Sequence, residues 1–392
     1  MAVAACLLLT AAPAVAADRN IASRITGVSH EMMGEKLRLV LKVSTAPAFT
    51  LFTLIGPDRL VIDMPSLVWE VTPEDLTGIP HIGTWRAGLF RPDRARIVIE
   101  LARPLAVDRA FTEPSHGGKS ARLVIDLEPV NSDVFEARSG APEMARWHGT
   151  PPGTLTTRPG EIVIALDPGH GGVDPGASYK HVTEKAITLA FALQLAEELE
   201  RRPGFRAFMT RDSDIFVPLA ERVARAHRAG AHVLISIHAD TVEVGAARGM
   251  SIYRLSEQAT DAAAAALAER ENRSDVLAGA DLDGDGDDIA RLLIELAQRG
   301  TKVESAKLAK AVFGALNGQV TMLRTRPMRE ANFRVLKAPD IPSILLELGF
   351  LNSEEDRQRL TDPQWRAEAA LLVADGIASW RSVASPGFLG RR

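Results

Sequence analysis

Residues 18–130 are filled by short runs in which apolar and polar positions alternate: "KLRLVLKVS", "AFTLFTLIG", "RLVIDMP", "RARIVIELARP" and "ARLVIDLEP", with Gly, Pro and Asp between them. A two-residue period bounded by turn formers marks half-buried strands, and no run is long enough for an ordinary helix, so this stretch predicts a small antiparallel all-β domain. Three of the runs share a pattern of Arg, an apolar stretch with one acid, then Pro. This reads more as the common requirement of edge-bounded strands than as an internal repeat. Residues 131–160, "ARSGAPEMARWHGTPPGTLTTRPG" in their larger part, are rich in Pro, Gly and Thr and show no period, which predicts a linker.

From Glu161 the pattern changes. "EIVIALD", "FRAFMTR", "HVLISIHAD", "GMSIYRL", "FRVLKAP" and "PSILLELGF" predict strands. "TEKAITLAFALQLAEELERR", "PLAERVARAHRAG" and "DPQWRAEAALLVADGIASWRSV" predict amphipathic helices, and helical patterns fill most of residues 261–318. Strands separated by helices imply an α/β domain over residues 161–392 with a mainly parallel or mixed sheet flanked by helices.

Charge and composition narrow the function. A net charge of −4, a pI near 6.2 and only 5% aromatic residues exclude the basic stripe and stacking platform that nucleic-acid binding requires. The N-terminal "MAVAACLLLTAAPAVAADRN" combines a short apolar run with small residues at signal-peptidase spacing, so residues 1–17 are expected to be an export signal cut near Ala16 or Ala17. No other stretch approaches the roughly 20 apolar residues of a transmembrane helix. The single cysteine, Cys6, falls inside the signal, and a mature exported chain would rely on core packing without disulfides.

Ligands of open α/β sheets bind beyond the carboxyl ends of the strands. That rule selects His170, His238 and Glu347 at strand ends and Glu184 at the start of the first helix. Imidazole and carboxylate groups suit zinc, and a catalytic site takes three protein ligands and leaves a position open. His170, Glu184 and His238 are of the right types. The glycines after His170 permit a tight turn and close approach, and Asp167 is placed to fix the tautomer of a ligating histidine. "DLDGDGDD" at residues 281–288 begins like a calcium loop but has Leu292 where a bidentate Glu is needed, so it reads as a solvated acidic loop.

The ordered set "LDPGHGGVDPGA", "TEK", "TR", "PLAERVARA", "SIHAD" and "REANFRVLKAPDIPSILLELGF" resembles the zinc-dependent N-acetylmuramoyl-L-alanine amidases of the amidase_3 type. The β domain resembles the AMIN domain that precedes the amidase in AmiC-like periplasmic cell-separation enzymes. The resemblance implies Zn2+ held by His170, Glu184 and His238, with Glu347 as the catalytic carboxylate. It implies cleavage of the amide between N-acetylmuramic acid and L-alanine of peptidoglycan, in a periplasmic setting. A zinc peptidase acting on the stem peptide and a non-catalytic peptidoglycan-binding protein are the alternatives. Arg211 and Arg222 either contact carboxylates of the stem peptide or form salt bridges inside the fold. AmiC-like members also carry a regulatory helical insertion, here at about residues 256–318, released by a periplasmic activator of LytM-domain type. Its "ERENRSD" makes Glu271 the candidate autoinhibitory acid, with Glu269 as the alternative. The largely alanine face of residues 261–277 predicts a weakly docked helix.

Overall fold

The computed structural model describes residues 23–65, 67–114, 120–147, 160–242, 247–280 and 288–385. The expected export signal with Cys6, most of the acidic stretch at 281–288 and much of the expected linker lie outside them. The chain forms two compact units. One comprises residues 1–148 with 172–174 and 275–282, and the other comprises residues 149–171, 175–274 and 283–392.

The first unit is all-β apart from short helical turns. It contains β1 (Ser23–Met33), β2 (Lys36–Val43), β3 (Thr50–Leu54), β4 (Arg59–Met64), β5 (Leu67–Trp69), β6 (Ile82–Arg91), β7 (Arg94–Leu101), β8 (Leu105–Pro114) and β9 (Ala121–Pro129). The sheets run β5-β1-β2-β9-β8 and β3-β4-β7-β6 and share one core. The alternation read from the sequence is visible in β2, where Leu37, Leu39, Leu41 and Val43 are buried and the residues between them are not. The echoing runs are β4, β7 and β9, and two of their acids meet arginines on neighbouring strands: Asp63 pairs with Arg96 at 2.6 Å, and Asp126 with Arg38 at 2.7 Å. The expected linker begins differently from the reading above. Asn131 caps a helix, α1 (Ser132–Arg138), by accepting a hydrogen bond from the Val134 N–H at 2.8 Å. One side chain of that helix, Phe135, enters the β core. A seven-residue helix with one apolar anchor leaves no period to read.

The second unit is a six-stranded mixed sheet, in the order β13 (Phe205–Met209), β10 (Ile162–Pro168), β14 (Val233–His238), β17 (Ser343–Glu347), β15 (Ser251–Leu255) and β16 (Met328–Ala331). β13, β10, β14 and β17 are mutually parallel, and β15 is antiparallel to β17. A small hairpin, β11 (Ser178–Tyr179) and β12 (Val182–Thr183), precedes the first long helix. Alternate residues of β10 face opposite cores. Ile162, Ile164 and Leu166 join the cluster with α2 (Glu184–Glu200), α6 (Asp288–Leu316) and α8 (Pro363–Val383), while Val163 and Ala165 join Ala226 of α3 (Leu219–Arg228). α4 (Ala262–Asn272) and α7 (Glu354–Thr361) complete the helices of this unit among the described residues, and α5 (Ser274–Leu277) begins at its boundary and lies mostly in the first unit. "FRVLKAP" is not a strand. It forms a 3₁₀ turn, Arg334–Leu336, and the edge strand is β16 just before it. A short apolar run signals burial more strongly than conformation, and here a turn places Val335 and Leu336 in the cluster around Tyr253 and Phe333.

Candidate metal centre

β10 stops at Pro168, and the chain then turns sharply. His170, Gly171 and Gly172 take positive φ in succession, at 60°, 124° and 58°. A histidine in this region costs about 1–3 kcal/mol, so something must hold it there. Two buried arginines do so through the carbonyls of the turn. Arg222 donates to the oxygens of Pro168 (2.7 Å) and His170 (2.8 Å), and Arg211 donates to those of Pro168 (3.0 Å) and Gly169 (2.8 Å). Both guanidinium groups are buried, and each donates to carbonyls of the turn. Asp167 is likewise engaged elsewhere than on a histidine ring. It accepts from Thr210, Ser236 and Arg222, at 2.6, 2.9 and 3.0 Å, and these partners hold its carboxyl below the usual range despite burial, which acts to raise it. Replacing one member of such a buried pair strands the other charge. Arg222→Met is expected to lower unfolding stability by about 3–5 kcal/mol in urea titration and to reduce metal retention.

Four ligand-type side chains converge beyond this turn. His170, Glu184, His238 and Glu271 each offer one atom, and these atoms all lie within 4.8 Å of one another in buried surroundings. Glu184 opens α2. Its Oε1 accepts from the Ala239 N–H and its Oε2 from the Ala177 N–H, both at 2.9 Å, which fixes the carboxylate between the two imidazoles. His170 Nε2 lies 3.1 Å from Glu184 and 3.3 Å from Glu271, and His238 Nδ1 lies 3.0 Å from each. Gly176 keeps the cradle open: at φ 65°, a Cβ there would lie 2.6 Å from both Glu184 Oε2 and the His170 ring.

The electrostatics of this cluster suit a cation. Burial acts to push the His238 imidazole down, yet the carboxylates of Glu271 and Glu184 outweigh it and push the pKa up to about 10. Burial would raise the acids, but the imidazoles hold Glu184 well below the usual range and Glu271 down to about 2. Two buried carboxylates that bind protons onto neighbouring histidines would be satisfied equally by a dication, and a set of two imidazoles with carboxylate oxygens is a donor set zinc accepts.

Glu347 ends β17 directly across from His238 in the parallel register. It is fully buried, and among the described residues it is not paired with an arginine. Its Oε1 accepts from the Asp240 N–H at 2.8 Å, while Oε2 has no hydrogen-bond partner among the described residues. Burial first, then the charges of Glu184 and Asp240, raise this carboxyl well above its usual value. A buried acid with one oxygen fixed and the other open is suited to carrying a proton. Asp240 itself escaped the sequence reading, although it closes the quoted "SIHAD". The signal was its place two residues beyond His238, on the loop facing the end of β17.

A family model described as N-acetylmuramoyl-L-alanine amidase matches residues 164–379, and one described as AMIN domain matches residues 28–127. The N-acetylmuramoyl-L-alanine amidase AmiC of Neisseria meningitidis serogroup B is 35% identical over 360 residues, covering 87% of this chain and 86% of that protein. AmiC of Escherichia coli O6:H1 is 34% identical over 351 residues, covering 84% and 82% respectively. AmiA of Escherichia coli K12 is 37% identical over 223 residues, covering 56% of this chain and 76% of that protein. Among the described residues, no helix is long and apolar enough to cross a membrane.

Proposed function

This chain belongs to the N-acetylmuramoyl-L-alanine amidase family and carries an AMIN domain ahead of its catalytic domain, and from that premise we propose a periplasmic zinc enzyme that cuts peptidoglycan between N-acetylmuramic acid and L-alanine. The observation that carries the proposal is the cluster of His170, Glu184 and His238 with Glu347 in register beside it. Zinc, when bound by those three ligands, supplies a Lewis acid that makes water nucleophilic at neutral pH and polarises the scissile carbonyl. Glu347 takes the proton of the attacking water on Oε2 while the Asp240 N–H holds Oε1 still, and it then passes that proton to the departing amine of L-alanine. Chelator-treated protein regains hydrolysis of purified sacculi with zinc and not with magnesium on this account. Recovery with magnesium alone would refute the zinc assignment.

Glu271 is the fourth member of the cluster and takes a ligand position that water and the substrate carbonyl would otherwise use. We assign it as an autoinhibitory acid, withdrawn when a periplasmic activator binds the insertion and favours an open state by its differential affinity for the two. Glu269, the alternative, is not in the cluster. Glu271→Ala is expected to raise basal sacculus hydrolysis about tenfold or more without activator, with zinc content by elemental analysis unchanged. An unchanged basal rate would remove Glu271 from regulation.

The β domain is proposed to address the enzyme to the wall or division site, since every group assigned to the chemistry follows it. A chain beginning near Gly160 should hydrolyse soluble muropeptides at the full-length rate but lose its position in cells. Full-length localisation by that shortened chain would overturn the targeting role.

A further inference from the structure

We propose that Arg270 and Asn272, on either side of Glu271, are positioning residues that latch the plug shut; this rests on the reading of Glu271 as an autoinhibitory acid. The apolar hold on α4 is slight. Its buried positions, Ala264, Leu267, Ala268 and Glu271, follow the i, i+3, i+4, i+7 stripe of a docked helix. The same face that packs the helix therefore delivers the carboxylate. Only Leu267 among these is a large apolar residue, and with the two alanines it meets the cluster of Tyr253, Phe333, Val335 and Leu336. A face that small orders a helix poorly, and the last turn must nonetheless hold Glu271 between two imidazoles.

Polar contacts on both sides of Glu271 supply what the apolar face lacks. Arg270 donates from Nε (3.1 Å) and Nη2 (2.5 Å) to Asp240 Oδ2, and from Nη2 to the Thr241 carbonyl at 3.4 Å. Asn272 donates from Nδ2 to the Asn332 carbonyl and accepts on Oδ1 from the Arg334 N–H, both at 2.7 Å. One clamp grips the loop after β14 and the other the loop after β16, so the carboxylate between them is fixed from two directions. The first clamp ends on the residue whose own N–H holds Glu347 Oε1. Plug and proton carrier are thus tied to one loop. The Arg270 side chain is 40% exposed while Asp240 is 6% exposed, so the clamp can be undone from its outer end without a partner entering the site.

The test uses the full chain with Arg270→Gln, Asn272→Ala and Glu271→Ala, alone and combined, without added protein. Two quantities are read: basal release of peptide from purified sacculi, and amide hydrogen exchange along α4, with α2 and α8 as internal references. The first substitution should raise basal turnover about tenfold and the second about fivefold, by shifting the closed population. Each should speed exchange in the last turns of α4 by a similar factor and leave α2 and α8 unchanged. Arg270→Lys, which keeps the charge without the two-donor grip, should recover part of the restraint. In the Glu271→Ala background, Arg270→Gln should still speed exchange yet add nothing to turnover, because no plug remains to release. If Glu271→Ala is activated while Arg270→Gln and Asn272→Ala match the parent in both readouts, the latch is wrong and the plug stands. If Glu271→Ala is itself silent, plug and latch fall together. A lower rate with faster exchange throughout the unit would mark Arg270 as an ordinary fold contact and overturn the proposal.

Discussion

Glu347→Gln is expected to cut hydrolysis of sacculi by about 10²–10⁴-fold, the range a positioned general base and acid contributes, while zinc content stays at the parental level. The amide is nearly the shape of the acid and still accepts on Oε1 from the Asp240 N–H. What it lacks is an oxygen able to take a proton. Because the parent carboxyl is buried and, among the described residues, has no cationic hydrogen-bond partner, the nearly isosteric amide should not destabilise the fold, and urea midpoints should agree closely. A Gln variant that retains more than a tenth of parental turnover would mean that the proton travels by another group.

His170→Ala and His238→Ala should abolish turnover by a different route, through loss of the metal. Each imidazole lies within 3.0–3.3 Å of both carboxylates of the cluster, and without it the buried like charges of Glu184 and Glu271 share a single imidazole. Elemental analysis after gel filtration should find zinc well below stoichiometric in both, against full occupancy in Glu347→Gln. Full zinc in both histidine variants would defeat the ligand assignment. This division, between variants that lose metal and one that loses only turnover, separates ligand from proton carrier more sharply than activity alone.

The sheet and the convergence of His170, Glu184 and His238 were legible because both rest on local signals. The alternation in β2 and the apolar runs ending in His238 and Glu347 report which strands are buried and where they stop. A strand end rich in Gly reports that a backbone must turn there. The roles of Asp167, Arg211 and Arg222 were not legible, because a charged residue gives the same sequence signal whether it faces substrate or binds carbonyls of a strained turn. Only the fold shows that the carbonyls of Pro168, Gly169 and His170 need donors, and that these arginines meet that need. Arg270 and Asn272 were hidden for a related reason. Their partners, Asp240, Asn332 and Arg334, lie 30 to 62 residues away along the chain, on loops that no period describes. The alanine-rich face of α4 suggested slight apolar anchoring, and the polar contacts at its last turn are what that composition could not convey.

The central claim, hydrolysis of the bond between muramic acid and L-alanine, is tested most directly by digesting purified sacculi with the full chain in ¹⁸O-labelled water and weighing the products. Amide hydrolysis puts the water oxygen on the carbonyl carbon and a proton on the departing nitrogen. The account predicts one ¹⁸O in the lactyl carboxyl of the released sugar, and unlabelled stem peptides beginning with a free L-alanine amine. Label in shortened peptides that remain attached to sugar would contradict it and assign the chain to the stem peptide instead.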